Sequence, residues 1–214
     1  MTFQTIIDSA AQIEFDRRRI IGQTVSRSQR IKTAERAATQ PWTLTVTPSA
    51  RFNFTRNRSL LESITVYDRA TECLVNLANN PNLSYLTAYQ GEMDPVDFAA
   101  LTITNFTATS VTIGGLPTTS TSTVIFRAGD WIQPALSRYP YTITADVVRG
   151  TESVVTATVH RPLISSEATT ITGAVLIGNS CTLRVVAAQI PTYTLVYKDQ
   201  FQFNDAFKFV EKII

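Results

Sequence analysis

Residues 141–147 read YTITADV, a regular alternation of apolar and polar side chains. Successive side chains of a strand point to opposite faces, so this stretch predicts a strand with one buried and one solvated face. Similar short segments rich in Thr, Val and Ile recur through residues 95–190, separated by Gly, Pro and Asn. Short strands at such spacing are typical of a β-sandwich or small β-barrel. The candidates are 101–106, 109–113, 122–127, 130–134, 141–148, 153–160, 171–177 and 181–187.

The composition of the whole chain also favours strands. Of its 214 residues 32 are threonine, whose branched Cβ fits a pleated sheet. Apolar residues make up 44% and charged residues 17%, which excludes a disordered chain and a charged helical rod. No apolar run approaches the roughly 20 residues of a membrane helix, so we expect no membrane span.

The flanks of the 95–190 region predict a different arrangement. Residues 42–46, WTLTV, alternate cleanly and predict a long hairpin over 20–47 with the basic segment before them. Ser59 and Glu62 fit a capping box and predict a helix over 57–70. Residues 83–89 are expected to form a strand. The aromatic segment 201–214 is too apolar to stay open, so it either closes the first sheet or pairs with a neighbouring chain.

These segments predict a mainly β fold, made of a β-sheet domain with one packed helix and an inserted β-barrel or β-sandwich domain. Residues 1–24 would be an N-terminal arm. Residues 25–94 and 191–214 would form the sheet-plus-helix domain, and residues 95–190 the insertion. Such an insertion is plausible because the termini of a compact domain often lie close together.

Charge is distributed unevenly along the chain. Residues 17–69 hold 11 of the 19 Lys and Arg but only three acids, a net charge of +8 where the whole chain carries +2. Such asymmetry indicates either a face that meets a partner or a solvated basic edge. Nucleic acid is a third reading, but no aromatic row interleaves with these cations, so direct binding is not favoured. The candidate interface residues are Arg17, Arg18, Arg19, Arg27, Arg30, Lys32, Arg36, Phe201, Phe203, Phe207 and Phe209.

Residues that could carry catalysis are scarce. His160 is the only histidine, and Cys73 and Cys181 lie far apart, so neither a zinc site nor a base-activated nucleophile is indicated. A glycosidase needs only two carboxylates, and the sequence offers two candidate positions for them. The loop acids are Glu92, Asp94 and Asp97. The other candidate is Asp130, which adjoins Trp131, a ring that could stack on a sugar. We expect no enzyme, no cofactor and no metal site.

Four segments together resemble the small structural proteins of tailed-bacteriophage tails, of the distal-tail or baseplate type. The first is residues 26–30, SRSQR, leading to WTLTV at 42–46. The second is RSLLE at 58–62. The third combines AGDWIQ at 128–133 with YTITADV at 141–147 and VHRPLI at 159–164. The fourth is the end of the chain, FQF at 201–203 and FKFVE at 207–211.

This resemblance implies a virion structural protein that is assembled in the host cytoplasm. Copies would form a ring linking the tail tube to the hub and fibres, with a second β-domain projecting from it. The implied partners are copies of the chain and other tail proteins. Three alternatives stay open: a neck or tail-terminator connector, a nucleic-acid-binding module using residues 17–36, and a carbohydrate-binding or glycosidase tail component.

Overall fold

A computed structural model describes residues 2–17, 21–25, 31–35, 41–49, 51–66, 71–118, 122–164 and 171–213. Strands account for 41% of the structure and helices for 19%. The protein is therefore mainly β, as the sequence predicts. Two large sheets, each with its own buried core, organise the chain.

The first sheet consists of five antiparallel strands. In spatial order they are β1 (Ala10–Asp16), β4 (Thr43–Pro48), β18 (Phe207–Glu211), β15 (Leu183–Gln189) and β6 (Cys73–Val75). Strand β18 lies at the centre, paired with β4 on one side and β15 on the other. Its alternate residues Phe207, Phe209 and Glu211 are all buried. The last described strand therefore closes this sheet, which was one of the two expected outcomes for the aromatic segment.

Two helices cover the first sheet, α1 (Thr2–Asp8) and α2 (Phe54–Val66). Phe3, Ile6 and Ile7 follow the spacing of a single helix face, and all three are completely buried. Leu60 and Ile64 of α2 join the same core, one turn apart. The packing of these apolar faces supplies most of the stability of helices this short.

Helix α2 begins earlier than the predicted start at residue 57, and its predicted residues 67–70 lie outside the described part. Asn53 Oδ1 accepts a hydrogen bond from the Arg56 amide at 2.8 Å. Asp199 adds a carboxylate, with Oδ1 3.2 Å from the Thr55 amide nitrogen and 2.9 Å from Thr55 Oγ1. These oxygens satisfy amides that have no partner within the helix. The Ser59 capping box was wrong, since Ser59 lies within the helix.

The second sheet has six strands and curls into a half-barrel. In spatial order they are β11 (Tyr141–Thr142), β10 (Trp131–Pro134), β14 (Gly173–Ile177), β7 (Thr102–Phe106), β8 (Ser110–Gly114) and β13 (Val155–Thr158). An isolated bridge between Ile143 and Val159 links the first edge to the last. Tyr141 and Ile143 are buried as predicted, but the predicted alternation is wrong beyond them, because Thr142 is also buried and Ala145 is exposed. The strand expected over 141–148 ends at Thr142.

Three smaller sheets complete the architecture. The first pairs β9 (Val124–Phe126) with β12 (Val147–Val148). The second has the order β16 (Tyr193–Val196), β17 (Gln200–Phe203) and β5 (Phe52–Asn53). The third is a hairpin of β2 (Ile21–Val25) and β3 (Ile31–Glu35), with Ile21 opposite Glu35. Short 3-10 helices occur at Leu77–Asn79, Ser84–Leu86, Pro95–Ala100 and Gly178–Ser180.

The sheet pairing departs from the expected domain boundaries in two places. Strand β15 ends at Gln189, yet it belongs to the first sheet and not to the inserted region expected to run to residue 190. Helix α1 and strand β1 fall within the expected arm of residues 1–24, yet they complete the first core and sheet. The division into two separate domains stays a prediction.

Two local expectations were also wrong. The expected hairpin over residues 20–47 is instead two separate pairings, because β2 pairs with β3 while β4 pairs with β1 and β18. The segment 83–89 contains a 3-10 helix where a strand was expected. Its amides are satisfied locally, as when the Thr87 and Ala88 nitrogens donate to the Ser84 carbonyl.

A tyrosine ties the segment before the 3-10 helix Pro95–Ala100 to strand β9. The Tyr89 hydroxyl donates to the Ile125 carbonyl at 2.5 Å and accepts from the Met93 amide at 3.2 Å. Gly91 lies directly beneath, where a Cβ would come within 2.1 Å of the hydroxyl. Burial raises the pKa of Tyr89 to about 12 from its ordinary value of 10.0.

Tyr89 should make stability fall at high pH. The folded chain holds the phenolic proton more tightly than the unfolded chain, so its contribution is intact below pH 10 and is lost as the pH rises towards 12. Tyr89→Phe should cost about 1–2 kcal/mol at neutral pH through the lost hydrogen bonds. Urea titrations of both proteins should show this gap closing above pH 10. A gap that stays constant up to pH 12 would contradict the prediction.

Candidate functional site

An aromatic cluster joins the two large sheets. Trp42 precedes β4 of the first sheet, and Trp131 begins β10 of the second; both are almost fully buried. Their ring centroids lie 5.1 Å apart in an edge-to-face arrangement. Phe15 of β1 packs against both rings, with centroid distances of 5.1 and 5.8 Å. Contacts of this kind add to the energy of area burial, so the junction is a packed interface.

A buried ion pair fastens the same junction. The Arg161 guanidinium forks onto the Glu211 carboxylate, with Nη1–Oε2 and Nη2–Oε1 distances of 2.5 and 2.7 Å. Their side chains are 4% and 0% exposed. Arg161 Nη2 also donates to the Pro140 carbonyl at 2.8 Å, and its Cζ lies 4.5 Å from the centroid of the Trp42 ring. The pair therefore connects the central strand β18 to the segment after β13.

His160 is part of the junction, and both of its ring nitrogens face hydrogen-bond donors of the protein. Trp42 Nε1 points its hydrogen at His160 Nε2 across 3.1 Å, and the Thr142 amide points at Nδ1 across 3.1 Å. Neutral imidazole has one accepting nitrogen, because the other carries the proton, so the ring accepts one of these bonds at a time. In either tautomer the accepting lone pair faces protein. This arrangement favours a structural role over general-base chemistry.

The loop acids of the glycosidase alternative hold backbone amides in place. Glu92 Oε2 accepts from the Val124 amide at 2.9 Å, and its Oε1 pairs with Arg127 Nη2 at 3.1 Å. Asp94 Oδ1 accepts from the Val96 amide at 3.0 Å and so caps the 3-10 helix that follows. Two of the three loop acids therefore hold the fold together, which does not favour a pair of carboxylates aimed at one glycosidic bond.

Asp130 has the same organising role. It is 1% exposed, and its two oxygens accept from the amides of Gln90 and Arg127, each at 2.8 Å. Burial raises the pKa of Asp130 above its ordinary value, while these amide hydrogen bonds oppose the rise. The adjacent Trp131 is 4% exposed within the aromatic cluster, so its ring is not available to stack on a sugar.

The predicted basic interface is only partly within the described residues. Arg17 is exposed, and its Nη1 donates to Thr142 Oγ1 of the second sheet at 3.1 Å. Lys32 belongs to strand β3 of the hairpin. The remaining candidates lie outside the described residues; they are Arg18, Arg19, Arg27, Arg30 and Arg36.

The aromatic interface candidates need correction. Phe201, Phe207 and Phe209 are 0% exposed, so they belong to the protein's own cores and offer no surface to a partner. Phe203 is half-buried against Phe52 and Phe207, with centroid distances of 5.7 and 4.8 Å. The physical reason is the central position of β18 and the pairing of β17 with β5, which bury these rings against α2 and the first sheet.

An apolar sheet edge is open on strand β16, which precedes the four predicted interface phenylalanines. Strand β16 is the outer strand of its small sheet, and Tyr193, Leu195 and Tyr197 alternate along it and beyond it with exposures of 45, 63 and 83%. Beside it lies an apolar cleft of about 390 Å³ between α2 and residues 190–193. An open edge with apolar side chains is a place where another chain can add a strand.

Sequence reasoning missed the most tightly built polar contact, the Arg161–Glu211 pair. Arg161 lies in a bend after β13 and Glu211 at the end of β18, and 50 positions separate them. The usable signal was weak: a charge in phase with buried residues, since Glu211 follows Phe207 and Phe209 at the period of a strand. A buried charge predicts a partner charge but not which one.

Among the described residues, no three or more His, Cys, Asp and Glu side chains gather as a metal site would require. Both cysteines are buried free thiols, and burial raises the pKa of Cys181. Within the same residues, neither helix has the length and apolar character of a membrane span. Comparisons with known protein families and with curated proteins give no match for this chain.

Proposed function

We propose that this chain is a structural subunit of a phage tail, of the distal-tail or baseplate type, that assembles into a ring. The assignment to a tail rests on the sequence resemblance. The assembling character has separate support in the β2–β3 hairpin, whose strands pair with one another and with no other described strand.

The hairpin supports assembly because a lone two-stranded sheet is marginally stable in water. Neither outer edge pairs with another strand in the described part of the chain, and a third strand can satisfy the amides and carbonyls of such edges. It also lies in the basic segment 17–69, whereas the rest of the chain has a net negative charge. A basic arm and an acidic body on one subunit are complementary surfaces, which head-to-tail association of identical copies requires.

The carboxylates and the histidine considered for catalysis support a structural role. The described carboxylates Glu92, Asp94, Asp130 and Glu211 all bind their own chain, as does His160. The open β16 edge provides a further surface for strand addition. In a ring linking tube, hub and fibres, such a subunit works mechanically, by positioning its neighbours.

Removing the hairpin should abolish assembly while leaving the two large sheets intact. Ile21 and Glu35 are opposite one another in the ladder, so a two-glycine link can take the place of residues 21–35. We expect cyclic oligomers of the full chain and monomers of the deletion in native mass spectrometry. Thermal unfolding should remain cooperative in both proteins.

A full chain that stays monomeric at the highest attainable concentration, and with purified tail particles, would contradict the proposal. The nucleic-acid alternative has its own test, which is retention on heparin and salt-sensitive binding to DNA. Loss of that binding in the hairpin deletion, with no oligomer in either protein, would favour the alternative.

A further inference from the structure

Two clefts meet at the junction of the sheets and share Arg17 and Gly129. One, of about 450 Å³, is lined by Thr142, Thr144 and His160 among others. The other, of about 420 Å³, is lined by Phe15, Tyr85, Leu86 and Trp131 among others. Sites of this size between structural units, apolar with a few polar groups, are typical binding sites. We call them together the Arg17 cleft.

The cation at the centre of this cleft has unused bonding capacity. A guanidinium has five N–H donors, and Arg17 uses one of them, to Thr142 Oγ1 at 3.1 Å. No carboxylate among the described residues forms an ion pair with it. Gly129, with φ of 102°, lines both clefts, and nothing lies within 4 Å of the position that its Cβ would take. The site therefore offers unpaired donors beside an apolar wall.

The wall is aromatic. Its accessible part is Tyr85, which is 65% exposed, together with the half-buried Phe15, whose ring stacks on the buried Trp131 at a centroid distance of 5.8 Å. A carboxylate that contacts only Arg17 would bind weakly, because an exposed ion pair contributes about 0–1 kcal/mol. The fitting occupant carries an apolar side chain next to a carboxylate.

The chain carries such a group on its own surface. The segment Asp94-Pro95-Val96-Asp97 begins a 3-10 helix, and Val96 is 76% exposed. Asp94 is exposed and caps the helix, and Asp97 lies in its first turn. An apolar side chain thus protrudes between two carboxylates, the chemical complement of the Arg17 cleft.

We propose that the Asp94–Asp97 segment of a second copy of this chain docks in the Arg17 cleft, with Asp97 on the Arg17 guanidinium and Val96 against the aromatic wall. The contact joins two different patches of identical subunits, so it is head-to-tail and propagates into a closed ring when the rotation fits. This inference rests on the proposed function and specifies a contact between neighbouring subunits in addition to the one that the β2–β3 hairpin makes.

Charge reversal on both sides tests the contact. Arg17→Glu and Asp97→Arg should each weaken self-association at least about tenfold in sedimentation velocity, because like charges then face each other. The double variant should recover to within about threefold of the original, since the attraction is restored with its sign reversed. Glu152→Arg, which reverses an exposed acid elsewhere in the second half of the chain, is the matched control and should leave association unchanged.

The outcomes separate the two proposals. A full chain that does not associate overturns the proposed function. A chain that associates, with single reversals that behave like Glu152→Arg or a double variant that fails to recover, overturns the docking inference and leaves the proposed function standing. Far-UV circular dichroism of every variant checks that the fold is retained.

Discussion

Replacing Arg161 with Met should lower the free energy of unfolding by about 3–5 kcal/mol, because it leaves the Glu211 carboxylate buried without its counter-charge. Glu211 is 0% exposed, so water cannot take the place of the guanidinium. One hydrogen bond would remain to the carboxylate, from the Trp42 amide at 3.1 Å. Met is long enough to keep part of the packing against the Trp42 ring. Urea titration at neutral pH measures the loss.

Two variants control this experiment. Arg161→Met combined with Glu211→Leu removes both charges and should recover much of the stability, since a buried ion pair is often no better than an apolar pair of similar volume. Arg127→Met breaks the Arg127–Glu92 pair, whose side chains are 44 and 48% exposed, and should cost at most about 1 kcal/mol. Equal losses for Arg161→Met and Arg127→Met would contradict the burial of the Arg161–Glu211 pair.

Phe209→Ala should destabilise the isolated chain by about 3–5 kcal/mol. The ring is completely buried in central strand β18, edge-on to Phe3 of α1 at 5.0 Å and stacked on Phe207 at 6.0 Å. Its loss leaves a cavity where α1 meets the first sheet. Tyr197→Ala is the matched aromatic control; that side chain is 83% exposed, and the change should stay within about 0.5 kcal/mol.

This pair of variants decides between two roles for the aromatic segment. If Phe209→Ala unfolds at the same urea concentration as the original chain but no longer assembles, the ring contacts a partner instead of the protein's own core. If stability falls and assembly is lost only in proportion, the segment is core. The structure predicts the second result.

The fold class follows from features that are local in sequence. Alternation at the start of residues 141–147 predicts buried Tyr141 and Ile143, and both are buried; it fails at Thr142 and Ala145, where the chain leaves the strand. Phe3, Ile6 and Ile7 likewise have a helical spacing that needs no distant partner. Apolar residues that recur at the spacing of a helix or strand share one face of that element, and such a face is usually buried.

Pairing and partners could not be predicted in this way. Strand β4 alternates cleanly, but nothing in WTLTV indicates that its neighbours are β1 and β18 instead of the adjacent β3. The same apolar pattern in residues 207–211 suits a sheet centre and an interface equally, because both exclude water. The Arg161–Glu211 pair and the Arg17 cleft depend on where the two sheets meet, which is set by contacts between residues far apart in sequence.

The central position of β18 imposes an order on biosynthesis. The strands of the second sheet, which are β7, β8, β10, β11, β13 and β14, leave the ribosome while the first sheet still lacks its middle strand. Until residue 211 has emerged, the position of β18 between β4 and β15 is empty. The Trp42 amide also lacks the Glu211 carboxylate to which it donates a hydrogen bond. A nascent chain stalled before this point would therefore expose the apolar faces of α1 and β4, which makes it a substrate for chaperones until residue 211 has left the ribosome.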